Sequence, residues 1–386
     1  MARPSPLSPR AAGTQPFLVM EVMERAEELA RAGKSIVHLE VGEPDFPTPP
    51  RIVEAGRSAL AEGATHYTHS MGVLPLREAI CRRYARRYGV EVTPDRVLVT
   101  AGSSLAMLYV FGALIEPGGE VVVGTPHYPC YPNFVEFFGG KLVEAPTDPA
   151  DGFQLDPARV RRAITPRTRA ILVNSPANPT GAMLDAERMR AIAELGVPIV
   201  SDEIYHGLEY DGAAHTMLEF APDAFVLDGC SKRYAMTGWR LGWLVSPRDC
   251  IRTFQKLQQN FLISPGAAAQ HAAIVALDQC DDEVEQMRRV YDRRRSLTVN
   301  LFRELGFGVA AMPQGAFYVF ADASRFTDDS YAFAFELLEG AGVGVAPGID
   351  FGEAGRLSIR LSYASSEANI REAARRIGER LQSRVG

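Results

Sequence analysis

The side chains best suited to chemistry lie in three short segments near the middle of this 386-residue chain. They are NSPANPTG (174–181), DEIY (202–205) and GCSKRYAMTGWR (229–240). Between them they supply a lysine amine, a carboxylate, a phenol and an arginine, each near an apolar run that is typical of a buried strand. An amine removed from water loses its proton more readily, and a neutral amine can attack an aldehyde and later move protons. These residue types therefore predict covalent chemistry on a carbonyl group, with a carboxylate and an arginine for the ligand's charges.

Lys232 and Asp202 each follow the end of a predicted apolar strand. Lys232 comes shortly after FVLD (225–228), so burial is expected to lower the pKa of its amine. Asp202 follows VPIVS (197–201), where a carboxylate is costly unless a cation pairs with it. A surface lysine in a loop and an aspartate that caps a helix are the alternatives. A protonated ring nitrogen of a ligand would be a suitable partner for Asp202.

Seven apolar, β-branched runs mark the strands that must position these side chains. They are Val97–Thr100, Val121–Val123, Lys141–Ala145, Ala170–Asn174, Pro198–Asp202, Ala224–Asp228 and Leu241–Val245. Helical periodicity occurs between or beside them, at Leu105–Ile115, Leu184–Leu195 and Pro247–Phe261. This alternation predicts an α/β protein whose large domain has a mostly parallel seven-stranded sheet, covered by helices on both faces. Ligands bind such sheets at the carboxyl ends of the strands, which is where the candidate residues lie.

The pattern changes near residue 281, and a smaller α+β domain is predicted for residues 281–386. A charged helical stretch reaches Leu305, and the later elements are strands at Phe317–Ala321, Gly342–Ala346 and Leu357–Ser362 and helices at Ser330–Ala341 and Glu367–Leu381. Residues 46–280 are expected to form the large domain, and residues 1–45 an N-terminal arm and part of the small domain. Pro4, Pro6 and Pro9 favour a flexible arm over an amphipathic targeting helix in the first 16 residues.

Composition and charge exclude several other classes of protein. The net charge is −6, which gives no electrostatic basis for binding nucleic acid or an anionic membrane, and no apolar run approaches the roughly 18 residues that span a bilayer. The five cysteines show no metal-type spacing, so we expect reduced thiols in a cytoplasmic protein and no metal site. No Gly-x-Gly-x-x-Gly follows a first strand, which argues against a nicotinamide-binding enzyme.

From about Val37 to Arg376, the chain resembles the fold type I pyridoxal-phosphate-dependent aminotransferases of class I/II, in the aspartate, alanine and aromatic subgroup. The most specific match is GWRLG (238–242) after Lys232. The resemblance implies that pyridoxal 5′-phosphate is the cofactor and that Lys232 holds it as a Schiff base and transfers protons. Asp202 would pair with the ring nitrogen, and Tyr205 would donate to the phenolic oxygen; these are the three expected catalytic residues.

The remaining cofactor contacts implied by the resemblance come from the loops that follow other strands. Asn178 would bind the phenolic oxygen, and Tyr128, in PHYP (126–129), would stack on the ring; His127 is the rival there but is expected to be a neighbour. Asn174 is expected to be structural. The helix that begins near Leu105 presents free N–H groups and a positive dipole end to a phosphate. The expected phosphate ligands are Gly102, Ser103, Ser104, Ser231 and Arg240.

The substrate and subunit contacts are implied in the same way. Arg360, in LSIRLSYA (357–364), would clamp the α-carboxylate of an amino acid with its two-pronged guanidinium, together with Gly42, Tyr128 and Asn178. Tyr67 resembles a tyrosine that reaches the phosphate of a neighbouring subunit, which implies a homodimer with shared active sites.

The predicted activity is transfer of an amino group between an amino acid and a 2-oxo acid by a ping-pong mechanism. A carbon–sulfur β-lyase on the same fold is the alternative. Many aspartate-using relatives carry a lysine at the position of Ser104, so a neutral or aromatic donor is at least as well supported as aspartate.

Overall fold

The computed structural model describes residues 7–384. The α-helices of this part of the chain are α1 Pro9–Ala12, α2 Leu18–Arg31, α3 Pro50–Ala61, α4 Leu74–Tyr88, α5 Ser103–Leu114, α6 Cys130–Glu136, α7 Pro157–Ala163, α8 Ala186–Ala193, α9 Arg248–Phe261, α10 Ala267–Gln279, α11 Asp281–Glu304, α12 Ser330–Ala341 and α13 Glu367–Gln382. The strands are β1 Val37–His38, β2 Val97–Thr100, β3 Glu120–Thr125, β4 Lys141–Pro146, β5 Thr168–Asn174, β6 Ile199–Asp202, β7 Phe225–Gly229, β8 Gly242–Val245, β9 Tyr318–Asp322, β10 Val343–Gly344, β11 Ala346–Pro347 and β12 Ser358–Ser362.

The predicted seven-stranded sheet is confirmed, in the order β2-β8-β7-β6-β5-β3-β4. Strands β3 to β7 pair in parallel, and β8 is antiparallel to both of its neighbours, β2 and β7. Because β8 runs the other way, its amino end lies at the same edge as the carboxyl ends of the other strands. A residue just before β8 therefore reaches the same edge as residues that follow β2, β3, β5, β6 and β7.

Both faces of this sheet are buried, as expected for parallel strands covered by helices. Alternate residues of a strand point to opposite faces, so Val97 and Val99 of β2 enter one core while Leu98 enters the other. The second core also contains Val110 and Phe111 of α5. This packing holds the strand ends in place and so fixes where the loops that follow them begin.

Two smaller sheets contain the later strands. The antiparallel sheet β11-β12-β9 places Arg360 of β12 opposite Phe320 of β9. Strand β1, near the N-terminus, pairs in parallel with β10, through Val37 and Val343. The predicted strand Gly342–Ala346 is thus two short strands that belong to different sheets. The domain boundaries proposed at 45/46 and 280/281 stay a prediction.

The N-terminal segment differs from the expected flexible arm. Residues 1–6 lie outside the described part of the chain, but Pro9 begins the short helix α1, a position where a missing N–H costs nothing. Gln15 exchanges two hydrogen bonds with Asn133, each of 3.0 Å. The helix α2 then starts at Leu18. None of the helices formed by residues 7–384 has an apolar stretch long enough to cross a membrane.

Candidate active site

A cavity of about 360 Å³ lies at the carboxyl edge of the seven-stranded sheet. Its lining includes side chains that follow β2, β3, β5, β6 and β7, one that precedes β8, and Arg360 from the antiparallel sheet. Twelve of the thirteen predicted site residues lie in or beside this cavity. Those in its lining are Gly42, Ser103, Ser104, Tyr128, Asn178, Asp202, Tyr205, Ser231, Lys232, Arg240 and Arg360, and Gly102 contacts it through Arg240.

Lys232 extends into the cavity from the loop after β7. Its Nζ donates a 2.6 Å hydrogen bond to the main-chain oxygen of Gly42. Burial lowers the pKa of the amine to about 8, partly offset by the carboxylate of Glu43, while the positive charge of Arg360 lowers it further. The structure therefore provides an amine that loses its proton at lower pH than an exposed lysine, as the sequence predicts.

Asp202 ends β6 and is almost completely buried. Its Oδ2 accepts a 2.8 Å hydrogen bond from the hydroxyl of Tyr131, and its Oδ1 accepts one from the main-chain N–H of Ile204 at 3.3 Å. Burial raises the pKa of this carboxyl to about 6 despite these donors. The side chain of Asn174 donates to the main-chain oxygen of Asp202 and accepts from the N–H of Asn178. Asn174 thus connects two of the predicted ligand residues.

An anion-binding corner forms where β2 meets α5. Gly102 has φ 87° and ψ 161°, a conformation open almost only to glycine, and α5 begins at Ser103 without a side-chain cap. A Cβ atom on Gly102 would lie 2.7 Å from Nη2 of Arg240, so the guanidinium lies against this glycine. Arg240 comes just before β8, and its Nη1 donates to the main-chain oxygen of Thr237. A fixed positive charge therefore faces the amino end of a helix, where an anion is stabilised.

Aromatic rings form two walls of the cavity. Tyr128 meets Tyr131 edge to face, with 5.3 Å between ring centroids, and its ring also meets that of Phe17 edge to face at 6.1 Å. In another part of the lining, the hydroxyls of Tyr205 and Tyr318 lie 2.8 Å apart. A flat ring bound between these walls would have an aromatic face to stack on and phenol groups at its edge.

Arg360 is 98% buried at the junction of the two larger sheets. Its Nη1 donates to Oδ1 of Asn178 at 3.1 Å, and its Nη2 to the main-chain oxygen of Glu40 at 2.5 Å. The guanidinium lies over the ring of Tyr318, 4.3 Å from its centroid. Such a charge is costly to bury without an anion.

Tyr67 is the one predicted site residue that this chain does not bring to the cavity. Its side chain is 78% exposed. His127, the rival to Tyr128, is also outside the cavity lining, and its imidazole contacts Glu144 and the main-chain oxygen of Tyr128.

Sequence reasoning missed Tyr131, Tyr318 and the first turn of α2. Tyr131 lies three residues after Tyr128 in the helix that follows, a spacing that could have indicated a shared face. Tyr318 lies on the strand beside β12, and nothing local in the sequence reveals that pairing. The residues of α2 belong to the segment 1–45, which the sequence assigned to an N-terminal arm and part of the small domain, not to the active site.

Charge is unbalanced in the cavity. Lys232, Arg240 and Arg360 form no ion pair with any carboxylate of residues 7–384. The buried carboxylate of Asp202 likewise forms no ion pair with any cationic side chain of these residues. Three separated cations and one buried anion suit a ligand that carries two anionic groups, a carbonyl for the amine and one cationic nitrogen.

The comparisons with known proteins agree with this arrangement. The family model for "Aminotransferase class I and II" matches residues 34–377. The chain is 43% identical to the aspartate/prephenate aminotransferase of Thermus thermophilus (96% of this chain, 97% of that protein) and 40% identical to the (5-formylfuran-3-yl)methyl phosphate transaminase of Methanocaldococcus jannaschii (97% and 99%). The crystal structure of the aspartate aminotransferase from Thermus thermophilus with maleate superposes with a TM-score of 0.94 at 42% identity, covering 98% of this chain and all of that one.

The chain belongs to the class I and II aminotransferases, and it is an aminotransferase that acts on small molecules. The relatives are named for amino-group transfer, which fits the predicted activity and not the β-lyase alternative. This family uses pyridoxal phosphate. Among residues 7–384, Arg240 and Asp202 each lack an ionic partner, so the cavity has unpaired groups of the kind that such a cofactor requires.

Proposed function

We propose that this aminotransferase binds pyridoxal 5′-phosphate in the cavity at the carboxyl edge of the sheet, through the residues predicted from the sequence. The observation that supports the proposal best is the unpaired state of Lys232, Arg240, Arg360 and Asp202 around a single cavity. When bound, the cofactor supplies an aldehyde for the amino group and a protonated ring that withdraws electrons from the α-carbon of the substrate.

Each end of the cofactor has its own ligands in this proposal. Arg240, Gly102, Ser103, Ser104 and Ser231 hold the phosphate, because the guanidinium and the amino end of α5 concentrate positive charge there. At the other end, Asp202 keeps the ring nitrogen protonated, and the hydrogen bond from Tyr131 orients that carboxylate.

The face and edge of the ring are held by side chains from different strands. Tyr128 stacks on the ring, and Tyr205 and Asn178 donate to its phenolic oxygen. The hydroxyl of Tyr318 lies beside that of Tyr205, so it fixes the orientation of the donor.

Arg360 binds the α-carboxylate of the substrate, with the main chain of Gly42 beside it and Tyr128 and Asn178 nearby. Its existing bonds to Asn178 and Glu40 hold the guanidinium in place before the substrate arrives, so little side-chain entropy is lost on binding. Lys232 would then remove the proton from the α-carbon of the substrate and deliver it to the former aldehyde carbon of the cofactor, because burial keeps much of its amine neutral near pH 8.

We also propose a homodimer in which Tyr67 reaches the phosphate site of the partner. Tyr67 and the nearby Phe261 and Ile263 expose 78%, 73% and 43% of their surface, and Thr68 is hydrogen-bonded to Ser264, which brings the two segments together. Large exposed apolar groups on adjoining segments are typical of an interface. A cytoplasmic location is proposed because all five cysteines are free thiols.

Three measurements test this function. Borohydride reduction of the cofactor-loaded enzyme followed by peptide mapping should locate a pyridoxyl group on Lys232; its absence from that peptide would refute the assignment. A panel of amino donors tested with 2-oxoglutarate and pyruvate should show ping-pong kinetics, and sedimentation should give a dimer. An active monomer would remove the proposed role of Tyr67.

A further inference from the structure

Part of the cavity lining is made of apolar side chains. They come from the start of α2, from α5 and from α6, and they are Phe17, Val19, Met20, Met23, Met107 and Phe134. We refer to these six as the apolar wall. Met107 is almost fully buried, whereas Met20 is 40% exposed although it lines the cavity. A methionine that stays exposed at the mouth of a cavity can adapt to an apolar ligand.

No cation of the described residues remains for a second carboxylate of the substrate. The cations that line the cavity are Lys232, Arg240 and Arg360, and the proposed function uses all three. The other charged group near the mouth is Glu43, whose carboxylate accepts a hydrogen bond from the hydroxyl of Thr237. A second carboxylate on the substrate would therefore meet thioethers, phenyl rings and a like charge.

The apolar wall is held in place by Asp350. The first residues of α2 lack a side-chain cap of their own, since Phe17 precedes them. Oδ1 of Asp350 accepts from the N–H of Leu18 at 3.1 Å, and Oδ2 from the N–H of Val19 at 3.2 Å. A carboxylate at the amino end of a 14-residue helix is favoured by the helix dipole as well. Asp350, more than 300 residues away in sequence, thus fixes the position of Phe17 to Met20 over the cavity.

We propose that the apolar wall is the binding subsite for the side chain of the amino donor, that it selects uncharged aliphatic or aromatic side chains over acidic ones, and that Asp350 is its positioning residue. This inference rests on the proposed function, because it requires Arg360 to hold the α-carboxylate. Leucine and aspartate test it directly, since their side chains have nearly the same shape and differ in two methyl groups against two carboxylate oxygens.

The experiment uses the same pair without the amino group, so that binding is measured apart from turnover. The cofactor-loaded enzyme is titrated by calorimetry with 4-methylpentanoate and with succinate. Each buried methylene tightens binding roughly fourfold. We therefore expect 4-methylpentanoate to bind at least about tenfold more tightly than succinate.

Variants separate the subsite from general effects on folding. Met20→Gln should weaken 4-methylpentanoate several-fold and leave succinate unchanged, because it places a polar amide in the wall at a partly exposed position. Asp350→Ala should also weaken 4-methylpentanoate. Its control is Asp185→Ala, since Asp185 caps α8 through the N–H of Arg188 and is not part of the cavity lining. That variant should lose similar stability and keep the affinity for 4-methylpentanoate.

The outcomes distinguish the two proposals. If succinate binds as tightly as 4-methylpentanoate, or if Met20→Gln changes the affinity for both acids equally, the apolar subsite is refuted. Tight binding of succinate would then point to a cation from a partner subunit as the ligand of its second carboxylate. If neither acid binds, or neither depends on Arg360, the proposed function fails instead. The comparison in the unmodified enzyme decides the matter even if a variant does not fold.

Discussion

Replacing Gly102 by alanine tests whether Arg240 and the amino end of α5 form the phosphate site. Gly102 has φ 87°, where a side chain is strained, and the new Cβ would lie 2.7 Å from Nη2 and 3.2 Å from Cζ of Arg240. Backbone at this position cannot yield easily, because α5 starts at the next residue. The guanidinium must therefore move away from the site.

Two separate effects follow, and each has a magnitude. The strained backbone should cost about 1–3 kcal/mol in the free energy of unfolding of the cofactor-free protein. Displacement of Arg240 should remove a hydrogen bond between charged groups, about 1.5–3 kcal/mol, which corresponds to roughly 10- to 150-fold weaker cofactor binding.

Gly118→Ala is the matched control. Gly118 has φ 83°, close to that of Gly102, but a Cβ there would meet nothing within 4 Å. Both variants are unfolded in urea without cofactor and then titrated with pyridoxal phosphate, whose binding is followed by absorbance. Both should lose stability, and only Gly102→Ala should lose affinity for the cofactor.

If Gly102→Ala binds pyridoxal phosphate as tightly as the unmodified protein, Arg240 and the amino end of α5 do not form the phosphate site. The role of Arg240 is also refuted if Gly118→Ala weakens cofactor binding to the same extent, because the loss of affinity would then come from backbone strain alone.

Three further predictions concern charged groups of the cavity. Because burial lowers the pKa of Lys232 to about 8, its charged form destabilises the cofactor-free fold below that pH, and the loss is regained as pH rises from 8 towards the unfolded value. Lys232→Met should therefore stabilise the cofactor-free protein at pH 6 by up to about 3 kcal/mol; no gain in urea unfolding would contradict this. Burial raises the pKa of Asp202 to about 6, so its ionised form reduces stability as pH rises from 4 through 6. Asp202→Asn should raise the thermal midpoint of the cofactor-free protein at pH 8 but not at pH 4, and an equal change at both would exclude titration of this carboxyl as the cause. Arg360→Gln should weaken carboxylate binding at least about tenfold and change cofactor affinity less than threefold in calorimetry, whereas equal losses would show a general defect.

Local sequence patterns predicted most of the strands and helices that position the site. The run at Val97–Thr100 and the helix Ser330–Ala341 were predicted with the bounds that the structure shows, because burial on both faces and helical periodicity leave strong local patterns. The predicted strand Gly342–Ala346 failed as a single element because its two halves pair with β1 and β12, and strand pairing is a long-range property.

By itself, the sequence determined the class of enzyme, and it indicated its candidate site residues, since Lys232, Asp202 and Arg240 stand in short motifs beside strand ends. Tertiary structure alone decided which side chains surround them. Tyr131 on Asp202, Tyr318 beneath Arg360 and Asp350 at the start of α2 are distant in sequence from the groups that they contact. A motif records the residues that one strand end presents, whereas these contacts depend on how separate sheets and helices pack. For the same reason, the side chains that would recognise a donor become visible only in the folded chain.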